Sequence, residues 1–215
     1  MRVVIAGGHG QIARRLEERL VEAGHEAVGL VRNPDHVADL EQIGAQPVVL
    51  DLEQATVAEV AKVLGGADAV VFAAGAGPGS GSARKDTVDR AAASVLADAA
   101  EEAGVRRYLM VSSMGTDRAD PDSDDIFQIY LRAKAAADAD LRRRDLDWTI
   151  VQPGRLTDDE GTGGVTLDPT AKPREIPRED VAATLVAALE QPSTIRRQFT
   201  LLSGETPIRD ALGAL

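Results

Sequence analysis

The sequence predicts an α/β fold built on a doubly wound parallel sheet, and three observations predict it. Short apolar runs alternate with amphipathic helical spacing almost from end to end. Those runs are continuous rather than alternating, as strands covered on both faces require. Glycines stand where strands give way to helices and where helices stop. Right-handed crossovers then put any ligand at the carboxyl ends of the strands.

The first strand, residues 2–6, runs straight into Gly7-Gly8-His9-Gly10, and a helix over 11–23 follows at once. Ile12, Leu16 and Leu20 form its apolar stripe; Arg14, Arg15, Glu17 and Glu18 form the other. The glycines fit two registers, Gly7-x-x-Gly10-x-x-Ala13 and Gly8-x-Gly10-x-x-Ala13. Either one aims the same helix at the same place. Glycine permits the tight turn and lets backbone N–H groups approach a pyrophosphate, which the unpaired amides at the helix start favour. His9 decorates this turn. A plain strand-to-helix turn would also use glycines, so the rest of the chain must decide.

The second strand, 27–31, closes on Arg32, about 20 residues past the glycine turn, where NAD-specific folds carry an acid for the ribose hydroxyls. A guanidinium there grips a 2′-phosphate through its fork, so Arg32 predicts NADP(H) preferred over NAD(H). The alternative is a surface arginine before the Asn33-Pro34 turn. A helix over 34–43 leads to a third strand, 47–50, followed by Asp51-Leu52. Those two residues either meet adenine or form a local turn. After helix 57–64, strand 69–74 ends in Ala73-Ala74-Gly75, small enough for a ribose to lie on the backbone. A glycine- and serine-rich loop over 75–82 comes next, then helix 83–103.

Strand 108–112 ends in Ser112-Ser113, hydroxyls at the height of a substrate carbonyl, and 117–125 reads as an acidic connection. Helix 124–144 carries Tyr130 and Lys134, one turn apart on one face. An ammonium beside a phenol favours phenolate, so the pair can pass a proton to or from a substrate oxygen. A core-facing tyrosine is the plainer account of the same spacing. Strand 148–151 leads to Pro153-Gly154, a turn able to wall one face of a nicotinamide. The stretch 153–172, rich in Gly, Asp and Thr, reads as irregular structure above the sheet. Helix 177–190, strand 198–202 and a short helix over 207–212 complete the chain.

At 215 residues the chain suits one well-buried domain, 1–215, with 153–172 as its small C-terminal substrate-side lid. A net charge of -11 disfavours nucleic acid as a partner. Apolar runs are broken by charge well short of membrane-spanning length, and the N-terminal run is too short for a signal peptide. A cytoplasmic location, no membrane partner and no nucleic-acid partner are therefore expected. There are no cysteines, and the three histidines lack ligand spacing, so no metal site is expected. No G-x-S-x-G elbow suggests hydrolysis.

The ordered set Gly7-x-x-Gly10-x-x-Ala13, Arg32, Asp51-Leu52, Ala73-Ala74-Gly75, Ser112-Ser113, Tyr130-x-x-x-Lys134 and Pro153-Gly154 resembles the short-chain dehydrogenase/reductase superfamily. More narrowly it resembles the atypical, NAD(P)H-binding members, the epimerase/dehydratase-like and NmrA-like groups. The likeness implies a Rossmann-type sheet binding NADP(H). It places Gly7, Gly10, Gln11 and Ile12 on the pyrophosphate and Arg32 on the 2′-phosphate. Asp51 and Leu52 would flank adenine; Ala73, Ala74 and Gly75 would line the ribose. Ser113, with Ser112 as second choice, would join Tyr130 and Lys134 in the family's catalytic set, with Tyr130 as acid–base. Ser112, Lys134, Pro153 and Gly154 would also touch the cofactor. The implied activity is hydride transfer to or from a small carbonyl, quinone-like or flavin-like substrate, by a monomer or homodimer. Two alternatives go with it: a non-catalytic NADP(H) sensor, and a sugar epimerase or dehydratase with tightly bound cofactor. The chain is short for the latter, because full epimerases carry a larger C-terminal lobe.

Overall fold

Strand β1 (Arg2–Ala6) shows why the sheet is wound on both sides. Successive side chains of a strand point to opposite faces. Val3 and Ile5 join a cluster with Leu16, Leu20, Val181 and Leu185, while Val4 and Ala6 join a second cluster with Leu64, Leu96 and Leu141. Val3, Val4, Ile5 and Ala6 are all fully buried. A run with no polar residue is what such a position demands.

The computed structural model describes residues 1–77, 80–81, 84–168, 170 and 174–215. After β1 come α1 (Gln11–Glu22), β2 (Glu26–Val31), α2 (Val37–Gln42), β3 (Gln46–Val49), α3 (Val57–Leu64) and β4 (Ala69–Phe72). A π-helical segment (Lys85–Ala92) continues directly into α4 (Ala93–Ala103). Then follow β5 (Arg107–Val111), α5 (Ile126–Arg142), β6 (Asp147–Pro153), β7 (Arg155–Thr157), β8 (Gly164–Thr166), β9 (Glu175–Pro177), α6 (Arg178–Glu190), β10 (Arg197–Ser203), β11 (Thr206–Pro207) and α7 (Ile208–Gly213).

The main sheet has the order β11-β8-β10-β6-β5-β4-β1-β2-β3. From β3 to β10 the neighbours are parallel, and β8 pairs antiparallel with both β10 and β11. The chain reverses direction across the sheet between β1 and β4, so a crevice opens at their carboxyl ends. The fold is the Rossmann-type doubly wound sheet that the sequence predicts. No described helix is long and apolar enough to cross a membrane.

Several boundaries differ. The helix expected over 34–43 is a 3-10 turn followed by α2, because Asn33 accepts from the Asp35 amide (3.1 Å) and Pro34 tightens the entry. The helix expected over 83–103 is π-helical over Lys85–Ala92, since apolar spacing over two turns does not separate the two helix types. Strand β4 stops at Phe72, and Ala73 leaves the ladder after its amide reaches the Ala6 carbonyl. The region 153–172 is not wholly irregular: β7 pairs with β9, and β8 joins the main sheet. Three-residue strands are too short to show a period. Residues 78, 79, 82 and 83 of the expected loop and helix start, and 169, 171 and 172 of the expected lid, lie outside the described residues.

Candidate functional site

The glycine turn is built for close approach. Gly7 has φ of 82°, and a Cβ on it would stand 2.7 Å from the Ala74 Cα, so two independent constraints demand glycine. The Gly10 amide donates to the Gly7 carbonyl (2.7 Å), and Gly10 begins α1 with no side-chain cap and no acid in the first turn. The amides of Gln11 and Ile12 therefore have no helical acceptor by position and no capping side chain. Ala13, fully buried, lets α1 close on the sheet. Uncapped amides at a helix start are the kind of donor a pyrophosphate requires.

Two chambers run along the strand ends and share the wall Ala73–Ala76. The smaller, about 250 Å³, lies over β2 and β3 and is lined by Gly7, Gly10, Arg32, Asp51, Leu52 and Arg84 among others. Asp51 Oδ1 accepts the Glu53 amide (3.0 Å), so it makes the local turn and also faces the chamber. Arg32 Nη1 donates to Glu53 Oε2 (3.3 Å), and Arg84 Nη2 donates to the same oxygen (2.8 Å). Thr87 Oγ1 donates to Glu53 Oε1 (2.6 Å), and that bond, then Arg84, holds the Glu53 carboxyl below the usual carboxylate range. Two guanidiniums thus converge on one carboxylate at this end of the cleft. Nothing in the sequence around Arg32 pointed to Arg84, because only the fold brings the two together. His9 stacks on His36 with ring centroids 3.6 Å apart and hydrogen-bonds Asp39 through Nε2 (2.7 Å), which lowers the Asp39 carboxyl below its ordinary range. The glycine turn is thus tied to α2.

The larger chamber, about 660 Å³, lies over β4 and β5 and is lined by Ser112, Tyr130, Lys134, Asp89, Lys85 and Leu156 among others. Lys134 is buried. Its Nζ donates to the carbonyls of Ala74 (3.3 Å) and Val111 (3.1 Å) and stands 3.3 Å from Asp89 Oδ1, an ion pair short of hydrogen-bond geometry. Asp89 in turn accepts the Ala76 amide (3.3 Å). The Lys134 ammonium is therefore already spoken for. Lys85 Nζ lies 5.1 Å from the Tyr130 ring centre and Lys134 Nζ 6.0 Å, so the phenol has two ammoniums near it rather than one.

Ser112 Oγ donates to Asp138 Oδ2 (2.8 Å), which also accepts from Gln152 Nε2 (3.2 Å) and Thr116 Oγ1 (3.4 Å). Burial pushes the Asp138 carboxyl up, opposed by Ser112 first among those groups. With its proton committed inward, Ser112 presents lone pairs to the cleft. Ser113 instead donates to the Met114 carbonyl (3.2 Å) and does not line either chamber. Gln11, Pro153 and Gly154 do not line them either. A Cβ on Gly154 would collide with the Arg174 carbonyl, so that glycine serves packing behind the wall, and Leu156 takes the facing position. The other predicted residues come together in one cleft: Gly7, Gly10, Ile12, Arg32, Asp51, Leu52, Ala73, Ala74, Gly75, Ser112, Tyr130 and Lys134.

Residues 7–192 match the model of a family described as NAD(P)H-binding. A Bacillus subtilis protein, named an uncharacterized sugar epimerase, is 35% identical over 216 residues, covering 100% of both chains. A solved structure from Bacillus halodurans, provisionally named an NAD-dependent epimerase/dehydratase, is 39% identical with a TM-score of 0.93 and covers 100% of both chains. The oxidoreductase ylbE from Lactococcus lactis is 28% identical with a TM-score of 0.85, covering 100% of this chain and 96% of that one.

Proposed function

The chain belongs to the NAD(P)H-binding family, among the atypical short-chain dehydrogenase/reductases, and on that premise we propose that it is an NADP(H)-dependent oxidoreductase acting on a small carbonyl, quinone-like or flavin-like substrate. One observation carries the reading: a single cleft presents, in order, two arginines, an uncapped helix start, and a phenol with its lysines.

When bound, the nicotinamide dinucleotide supplies or accepts a hydride. The amides of Gln11 and Ile12 would hold the pyrophosphate. Arg32, with Arg84 beside it, would hold a 2′-phosphate. Asp51 and Leu52 border adenine, and Ala73 to Gly75 give the ribose a flat backbone surface. Lys134, fixed by Asp89 and two carbonyls, orients the wall on which the nicotinamide ribose rests. Tyr130 gives its hydroxyl proton to the substrate oxygen, or takes one back. Ser112 accepts a hydrogen bond from whichever N–H or O–H lies over β5.

The names of the Bacillus relatives favour a second reading, an epimerase or dehydratase that returns its cofactor to the starting redox state. Absorbance of NADPH in the presence of quinones, flavins and carbonyls separates the two. Net oxidation of NADPH by the parent, lost in Tyr130→Phe while calorimetric NADPH binding is kept, is the expected result. Tight binding with no net oxidation by any acceptor removes the oxidoreductase reading.

A further inference from the structure

The larger chamber holds one cation that no carboxylate matches among the described residues. Lys85 is 8% exposed, lies on the π-helical segment and faces the chamber. Its Nζ donates to the Gly77 carbonyl (3.0 Å) and stands over the Tyr130 ring, and among the described residues it has no carboxylate within ion-pair distance. Lys134, by contrast, is matched by Asp89. The remaining acid at the chamber, Asp125, spends its Oδ1 on the amides of Phe127 and Gln128 at the start of α5. An ammonium has three donors, and among the described residues only one of those on Lys85 has a protein acceptor. Withdrawing such a charge from water without a counter-charge is costly, so a cleft that retains it gains most when its ligand carries the opposite charge.

The other wall is apolar. Ile126 and Phe127 are more than half exposed at the mouth, and Phe127 stacks on Tyr130 with ring centres 6.0 Å apart. A flat conjugated ring system fits against these rings, with its oxygen toward Tyr130 and an acidic substituent toward Lys85. Resting on the oxidoreductase reading, we propose that the substrate is a planar conjugated carbonyl or quinone bearing a carboxylate or phosphate, and that Lys85 is the residue that selects for that acidic group.

The test uses acceptor pairs that share a ring and differ in charge: flavin mononucleotide against riboflavin, and anthraquinone-2-carboxylate against anthraquinone-2-carboxamide. NADPH affinity is measured first by calorimetry, and dissociation constants of each pair are then measured on NADP-loaded protein. The parent is expected to prefer the anionic member of at least one pair by about tenfold, the scale of one charge-assisted hydrogen bond. Lys85→Met should bring that ratio close to one with NADPH affinity unchanged, and Lys85→Arg should keep most of it. A purely structural role would alter neither ratio. An absence of anionic preference in the parent, non-binding of both members included, overturns the inference, as does a ratio unchanged in Lys85→Met. A loss confined to NADPH affinity assigns Lys85 to the cofactor and overturns it equally. No dinucleotide binding by the parent removes the underlying function reading as well, so the two failures are told apart at the first step.

Discussion

Glu17 sits in the helix that opens on the glycine turn, yet it points into the protein. The residue is fully buried, and among the described residues neither carboxylate oxygen has a hydrogen-bond partner. Its side chain lies against Gly8 and Gly29, where added Cβ atoms would fall 2.9 and 2.5 Å from Oε1. Burial pushes its carboxyl up to about 8 from 4.5, with Arg14 opposing. The folded protein therefore keeps a proton on Glu17 that the unfolded chain has lost across that interval. Stability must fall as pH rises from about 4.5 to about 8, at up to about 1.4 kcal/mol per unit for this group alone, and level off above it. At neutral pH the accumulated cost is roughly 3 kcal/mol. Glu17→Gln keeps the shape and removes the titration, though its amide, also without a partner, costs about 1 kcal/mol of that gain. The variant should match the parent near pH 5 and exceed it by about 2–4 kcal/mol near pH 8, read by urea unfolding at several pH values. An ionised Glu17 also sets a negative charge beneath the phosphate turn, so NADPH affinity should decline above pH 8 in the parent and not in the variant. Parallel stability curves for the two proteins would refute the reasoning.

Other outcomes follow from the cleft. Arg32→Ala should narrow the gap between NADPH and NADH affinity by about 1–3 kcal/mol, and adding Arg84→Ala should close most of the remainder, measured by calorimetry. An NADPH preference unaffected by both changes would take the 2′-phosphate away from this end of the cleft. Gly7→Ala meets both a left-handed backbone and the Ala74 Cα, so it should lower Tm and weaken dinucleotide binding at least tenfold; a fully active, equally stable variant would contradict the close-approach argument.

The sheet was legible in the sequence because burial on both faces leaves long apolar runs, and β1 with its following glycines is the clearest of them. Arg32 and the Tyr130–Lys134 pair were legible because each is local, read by distance from a motif or by spacing on one helix. What was not legible depends on distant contacts. Glu53 joins Arg32 to Arg84, and Asp89 neutralises Lys134, through pairings that only the crossovers create. The choice between Ser112 and Ser113 turns on which hydroxyl a buried acid one helix away can reach, and Asp138 reaches Ser112. Strands β7, β8 and β9 escaped notice because three residues cannot display an alternation. The surroundings of Tyr130 looked simpler from spacing than they are, since Lys85 arrives from another element.

The amides that open α1 are the foundation of this account, and titration calorimetry of the purified protein with NADPH and NADH tests them most directly. One site per chain is expected, tighter for NADPH, with the heat lost in Gly7→Ala. No heat with either dinucleotide would contradict the account at its base.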